Sequence, residues 1–182
     1  PVVSTIRSTG SDVDLIVRKV TAEPFNESLL NIAATQVAVT QGGGIAAPRY
    51  AGKCIMSGVD VPFNPVSVVG VDPNLEGYFG FSNSSLVSLS SGDNVIATDD
   101  IATAFSIRKG FSIRLGIDLA NGTSRHIDLT VASIVHVERK GFTSALIVNM
   151  SRAQWLFATP HQITVIVVKL NNAQNTLDVK KA

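Results

Sequence analysis

The chain has 182 residues and a mass of 19.2 kDa, with 15 Lys+Arg against 14 Asp+Glu, 45% hydrophobic residues and only 16% charged ones. A net charge of +1 gives no general pull toward nucleic acid or an anionic membrane, and high hydrophobicity at near-zero charge excludes disorder. The single Cys54 excludes an internal disulfide and a Cys-based zinc site within one chain.

The opening Pro1-Val2-Val3-Ser4 lacks the basic and long apolar regions of a signal peptide. Near the end, the apolar stretch Ile163 to Val168 is far too short to span a bilayer, so no transmembrane segment is expected. The length suits one domain covering 1–182. Abundant Val, Ile, Thr and Ser, punctuated by Gly and Pro, point to a β protein.

In chain order, strands are predicted at Val13–Val20 and Gln36–Thr40, with one short helix between them at Pro24–Ala34. Gly42-Gly43-Gly44 followed by Ala46-Ala47-Pro48 reads as a loop. It lacks the Gly-Lys-Ser/Thr ending of a phosphate cradle. Further strands are predicted at Lys53–Ser57, Val66–Val71, Leu86–Ser90, Thr103–Arg108, Phe111–Leu119, His126–Glu138, Phe142–Val148, Gln154–Phe157 and Ile163–Leu170.

The segment Phe111–Leu119 is apolar at every odd position, the period-2 pattern of a half-buried strand. After Asn121-Gly122 the alternation resumes at Ile127, Leu129 and Val131. A two-residue turn would set apolar against polar residues, so an odd-length loop is expected. It would place Ile117 opposite Ile127, Leu115 opposite Leu129, and Asp118 facing His126. A four-residue loop, Glu138–Gly141, would then bring Val131 opposite Val148. The resulting meander has one apolar face and one face carrying Arg114, Asp118, Thr130 and His136. A second sheet is the simplest cover for that apolar face. The expected fold is therefore all-β: a single-domain β-sandwich, jelly-roll-like or Greek-key, with at most one or two short helices; a barrel stays open, because alternation alone does not fix closure.

No residue set persuades as a catalytic site. Asp118 and His126 read as a cross-strand pair rather than two parts of a hydrolytic triad, because no Gly-x-Ser-x-Gly elbow presents a nucleophile. His126 and His136 lie ten positions apart on one strand, about 30 Å, and cannot share an ion. Asp72 and Glu76 could meet at a calcium ion, but a polar turn set by Pro73 is the simpler reading. Trp155 in Ala153–Phe157 suits a core or interface position. Residues 1–91 carry net −2 and residues 92–182 net +3, with only isolated doublets such as Arg108-Lys109 and Arg139-Lys140. No specific nucleic-acid recognition is expected. Catalytic, cofactor and metal residues are all expected to be absent, and no enzyme activity is expected.

An apolar, weakly charged β chain is liable to aggregate unless its faces are used, and symmetric self-assembly uses them. In style the composition resembles the coat subunits of small viruses and phages. The leading expectation is a virion structural protein assembling as a homo-oligomer through edge strands, the loops 41–52 and 58–65 and the termini, with or without other virion proteins. The alternative is a carbohydrate-binding or adhesin-type sandwich module at the cell surface or outside the cell.

Overall fold

A computed structural model describes residues 3–7, 15–19, 30–31, 44–58, 63–79, 81–136 and 144–170. Its strands are β1 (Val3–Arg7), β2 (Leu15–Lys19), β3 (Leu30–Asn31), β4 (Gly44–Gly58), β5 (Asn64–Val71), β6 (Asn94–Thr98), β7 (Ser112–Asp118), β8 (Ser124–Val135), β9 (Leu146–Asn149), β10 (Gln162–Ile163) and β11 (Val165–Leu170). The helices are α1 (Pro73–Glu76), α2 (Asn83–Ser90), α3 (Asp99–Ala104) and α4 (Met150–Leu156), with a 3-10 turn at Gly77–Phe79.

Nine strands form one mixed sheet in the order β1-β2-β11-β4-β5-β9-β6-β8-β7, and β7 pairs again with β4. The run from β4 to β7 therefore closes into a barrel, and β11, β2 and β1 continue outward from it as a flap. β4 makes both possible because it is 15 residues long. One edge pairs with β5 from Arg49 to Met56; the other pairs first with β11, from Gly44 to Arg49, and then with β7, from Ile55 to Gly58. In the gap between β11 and β7, the Ala51 N–H donates to Thr164 Oγ1 at 2.8 Å and the Thr164 N–H donates to Arg49 O at 3.0 Å. A hydroxyl thus satisfies a backbone donor that the diverging strands leave behind.

α4 packs across the same region. Phe157, just past its end, lies against Tyr50 with ring centroids 5.1 Å apart. A Cβ at Gly52 would stand 2.4 Å from the Phe157 ring, and one at Gly70 would stand 2.4 Å from the Ala153 Cβ. Both glycines are therefore needed for close helix–sheet approach. Inside the barrel, Met56, Val68, Val95, Ile113, Leu115, Val131, Leu146 and Val148 form the main core. On the outside, Leu86 and Leu89 of α2 cover Ile96 and Ile147, together with Phe81 and Val71. β6 and β9 are thus buried on both faces.

This architecture overturns the expected sandwich, jelly-roll-like or Greek-key. The apolar face of the β7–β8 hairpin is covered by other strands of its own closed sheet, and among the described residues the second sheet is only the two-stranded β10–β3 pair. The sheet is mixed, with parallel pairs β5–β9 and β6–β8. It carries four α-helices among the described residues, more than the one or two expected, and is an α/β type of arrangement.

The odd-length turn is present: Asp118 pairs with Ser124, and the Leu119 N–H donates to Thr123 O at 2.9 Å. The register is shifted by two, so Leu115 faces Ile127 and Ile113 faces Leu129. Alternation cannot separate registers that differ by two, since both keep apolar residues on one face. The expected pairing of Val131 with Val148 does not occur. β6 inserts between them, with Val95 opposite Val131 on one side and Val148 on the other.

Leu86–Ser90, Thr103–Arg108 and Gln154–Phe157 are not strands; helices α2, α3 and α4 occupy or overlap them. The supposed loop 41–52 is strand from Gly44 onward, its small residues Ala46 and Ala47 buried against β11. Leu30–Asn31 pairs with β10 as a strand, against the helix expected at Pro24–Ala34. The strand expected at Gln36–Thr40 and the loop 138–141 lie outside the described residues.

Candidate functional site

The outer surface of β4, β7 and β8 holds a shallow cleft of about 300 Å³. Strand register sets its layout. One row across the three strands is Ile55, Gly116 and His126; the next is Ser57, Arg114 and Asp128. Because Gly116 has no side chain, the middle of the first row is a depression. Phe63, 82% exposed, and Ile55, 42% exposed, supply apolar rim.

Charged residues lie on both faces of this part of the sheet. Arg114 meets Asp128 through two hydrogen bonds of 2.7 and 3.0 Å. That guanidinium holds the Asp128 carboxyl below its ordinary range and is itself pushed upward by its partner. Arg125 lies with its guanidinium 5.2 Å from the ring centroid of half-exposed Trp155 and donates to the Trp155 carbonyl. The indole face and the carbonyl fix the cation in place. Among the described residues no carboxylate pairs with Arg125.

The Asp118–His126 pair expected from the sequence does not form. Ser124 donates to Asp118 Oδ1 at 2.6 Å, and His126 stands opposite Gly116. Both residues line the cleft, but no Ser-His-Asp relay results. Asp72 and Glu76 also part company. Asp72 caps α1 by accepting from the Asn74 N–H at 3.0 Å, while buried Glu76 grips buried Arg49 at 2.8 and 2.7 Å. Each Glu76 oxygen thus accepts from the Arg49 guanidinium, apart from the Asp72 cap contact. Trp155 sits on a helix with half its surface exposed rather than in a core strand.

Sequence reasoning missed a polar cluster at the start of α3. His136 Nδ1 contacts Asp99 Oδ2, and the hydroxyls of Ser144 and Thr98 donate to Asp100. Hydrogen bonding from His136 holds the Asp99 carboxyl below its ordinary range. These contacts tie the ends of β8 and β6 to α3 and to the approach to β9. Among the described residues, no three His, Cys, Asp or Glu side chains are grouped to hold a metal ion. Cys54 lies inside the barrel, where burial pushes its thiol up to about 12.

A mixed sheet closed around one core, flanked by strand-to-helix junctions, defines the class of fold, and solved structures share it. No protein-family model matches the chain, and no curated protein matches it. The periplasmic region of MacB from Actinobacillus actinomycetemcomitans superposes with a TM-score of 0.55 at 14% identity, covering 84% of this chain and 70% of that one. The extracellular domain of the noncanonic ABC-type transporter YknZ from Gram-positive bacteria gives 0.59 at 11% identity, covering 97% and 86%. A domain of a putative permease protein from Porphyromonas gingivalis gives 0.50 at 12% identity, covering 80% and 68%.

At such identities the likeness establishes the fold. It removes the basis of the virion expectation, because the capsid-subunit role rested on a jelly-roll sandwich that the chain does not form. The carbohydrate-binding or adhesin sandwich falls with it. The first two of these structures are a periplasmic region and an extracellular domain of their own proteins.

Proposed function

We propose that the chain is an extracytoplasmic domain of an ABC-type transporter permease, working by contact with other molecules and not by catalysis. The observation that carries this reading is the shared fold: 97% of the chain aligns with the extracellular domain of YknZ and 84% with the periplasmic region of MacB. No helix among the described residues is long and apolar enough to cross a membrane.

Sidedness tests the proposal. Val87, 72% exposed on α2, is replaced by Cys in the full polypeptide in its own host, and cells or spheroplasts are treated with a membrane-impermeant maleimide. Buried Cys54 contributes little background. Labelling without lysis is the expected result. Labelling only after lysis would place the domain in the cytoplasm and end this reading.

A further inference from the structure

β5 and β9 are parallel neighbours that end level with each other, Val71 opposite Asn149. From there the chain leaves to opposite faces of the sheet. After β5 it enters α1, whose Leu75 packs with Ala47 and Val167, on the face of β4 and β11 opposite to the core residues Ala46 and Ile166. After β9 it enters α4, whose Met150, Ala153 and Leu156 belong to the barrel core. Where adjacent parallel strands send their connections to opposite sides, neither connection covers the strand ends. The crevice left there is where sheets of this kind hold ligands. Here it has a volume of about 350 Å³, enough for a small organic molecule. Asp72, Pro73 and Asn74 line it from one strand end, and Asn149, Ser151 and Gln154 from the other.

Internal hydrogen bonds decide what this wall offers. The Asn74 N–H and Nδ2 both donate to Asp72 Oδ1, at 3.0 and 3.1 Å. The Ser151 N–H and Oγ both donate to Asn149 Oδ1, at 3.0 and 2.8 Å. Gln154 Nε2 donates to Gln162 O at 2.8 Å, and Asn149 Nδ2 to Leu89 O at 3.3 Å. Each amide is thus committed through its nitrogen. The atoms left without a donor among the described residues are oxygens: Asp72 Oδ2, Asn74 Oδ1 and Gln154 Oε1. Asp72 carries the one charge in the lining, with no Lys, Arg or His beside it. Such a wall repels an anion and selects a cation that donates hydrogen bonds. We infer that the crevice between the ends of β5 and β9 binds a small organic primary amine, its ammonium paired with Asp72. An ammonium presents three donors and no acceptor, the complement of open oxygens, whereas a hard metal ion calls for more carboxylates than this one. The inference does not rest on the transporter reading: its test measures binding, and that reading stands or falls on sidedness.

Amide signals of the full chain, followed by heteronuclear NMR at physiological salt and neutral pH, supply the test. Putrescine and serinol are the probes, with glycerol and glycerate as neutral and anionic counterparts. The two amines are expected to cause saturable shifts confined to residues 72–74, 90 and 149–154. Asp72→Asn should weaken their binding roughly tenfold or more by removing the charge. Asn is as good a helix cap as Asp, so the melting temperature should hold and lost binding cannot be ascribed to unfolding. Ser151→Lys, at an exposed position of α4, brings the chain's own ammonium to the crevice and should abolish the shifts. The inference is overturned by no saturable shift with either amine, by equal binding of glycerol or glycerate, or by amine binding that either substitution leaves unchanged. Tighter binding of magnesium or calcium would assign the crevice to a metal ion. Tighter binding of an acetylated and amidated Gly-Lys-Gly peptide would assign it to a lysine of a partner protein; either result also overturns the inference.

Discussion

Ala158 and Ser106 end two helices in the left-handed region, at φ +57° and +53°, where an L side chain costs roughly 1 kcal/mol more than glycine. After α4 the N–H groups of Ala158 and Thr159 donate to the carbonyls of Trp155 and Gln154. After α3 those of Ser106 and Ile107 donate to Thr103 and Ala102. These are the paired bonds of the Schellman close. Ala158→Gly keeps the bonds and removes the strain, so a gain of about 0.5–1 kcal/mol is expected in urea unfolding. A midpoint below that of the parent would contradict this helix ending. Arg49 and Glu76 raise the opposite case, a pair taken wholly out of water and joined by two short bonds. Glu76→Ala leaves a buried guanidinium without that carboxylate and is expected to cost about 3–5 kcal/mol. The double variant Arg49→Met/Glu76→Leu should recover much of the loss. If the double variant is as unstable as the single one, the charge is not what the site lacks.

Among elements, the seat of α4 on the sheet is the most demanding contact. Gly70 admits the Ala153 Cβ and stands 3.3 Å, measured from a Cβ placed on it, from the Met150 Cα; both neighbours belong to the helix and cannot swing away. Gly70→Val is therefore expected to cost about 2–3 kcal/mol through overpacking, whereas Gly116→Val on the open face costs nothing. Equal effects of the two substitutions on the melting temperature would refute this account of α4. The same elements show what the sequence made legible. The β7–β8 hairpin was readable because one face is wet and one dry, so its residues alternate, and the parity of its turn followed. β6 was not, since Val95 and Ile96 are buried on opposite faces and a strand covered twice has no alternation to see. α3 and α4 were mistaken for strands because each is short and ends on Ser106 or Ala158 in place of the glycine that ordinarily signals a helix end. The cleft escaped notice for another reason: Ile55, Gly116 and His126 become one row only when β4 pairs with β7, a closure no local pattern encodes.

On the scale of the whole molecule, closure gives Cys54 a second use as a reporter. The thiol lies within a core built from strands that are far apart in the chain, so a reagent reaches it only when the barrel opens. Labelling by a small disulfide reagent should proceed at the rate of global opening and accelerate with denaturant in step with the loss of tertiary signal. Fast labelling in native buffer would mean that the β4–β7 seam parts independently. Protonation gives the same contrast at equilibrium. Burial raises the folded thiol to about 12, whereas an unfolded cysteine ionises near 8.5. The contribution of this group is intact below about pH 8.5 and declines as pH rises toward 12, because over that window only the unfolded chain releases the proton. At pH 10 the loss from this group comes to about 1–2 kcal/mol. Cys54→Ala, less stable at neutral pH through lost packing, should show a flatter decline between pH 8 and pH 10. Parallel pH profiles for the two proteins would show that the thiol is not enclosed and that the barrel does not close around it.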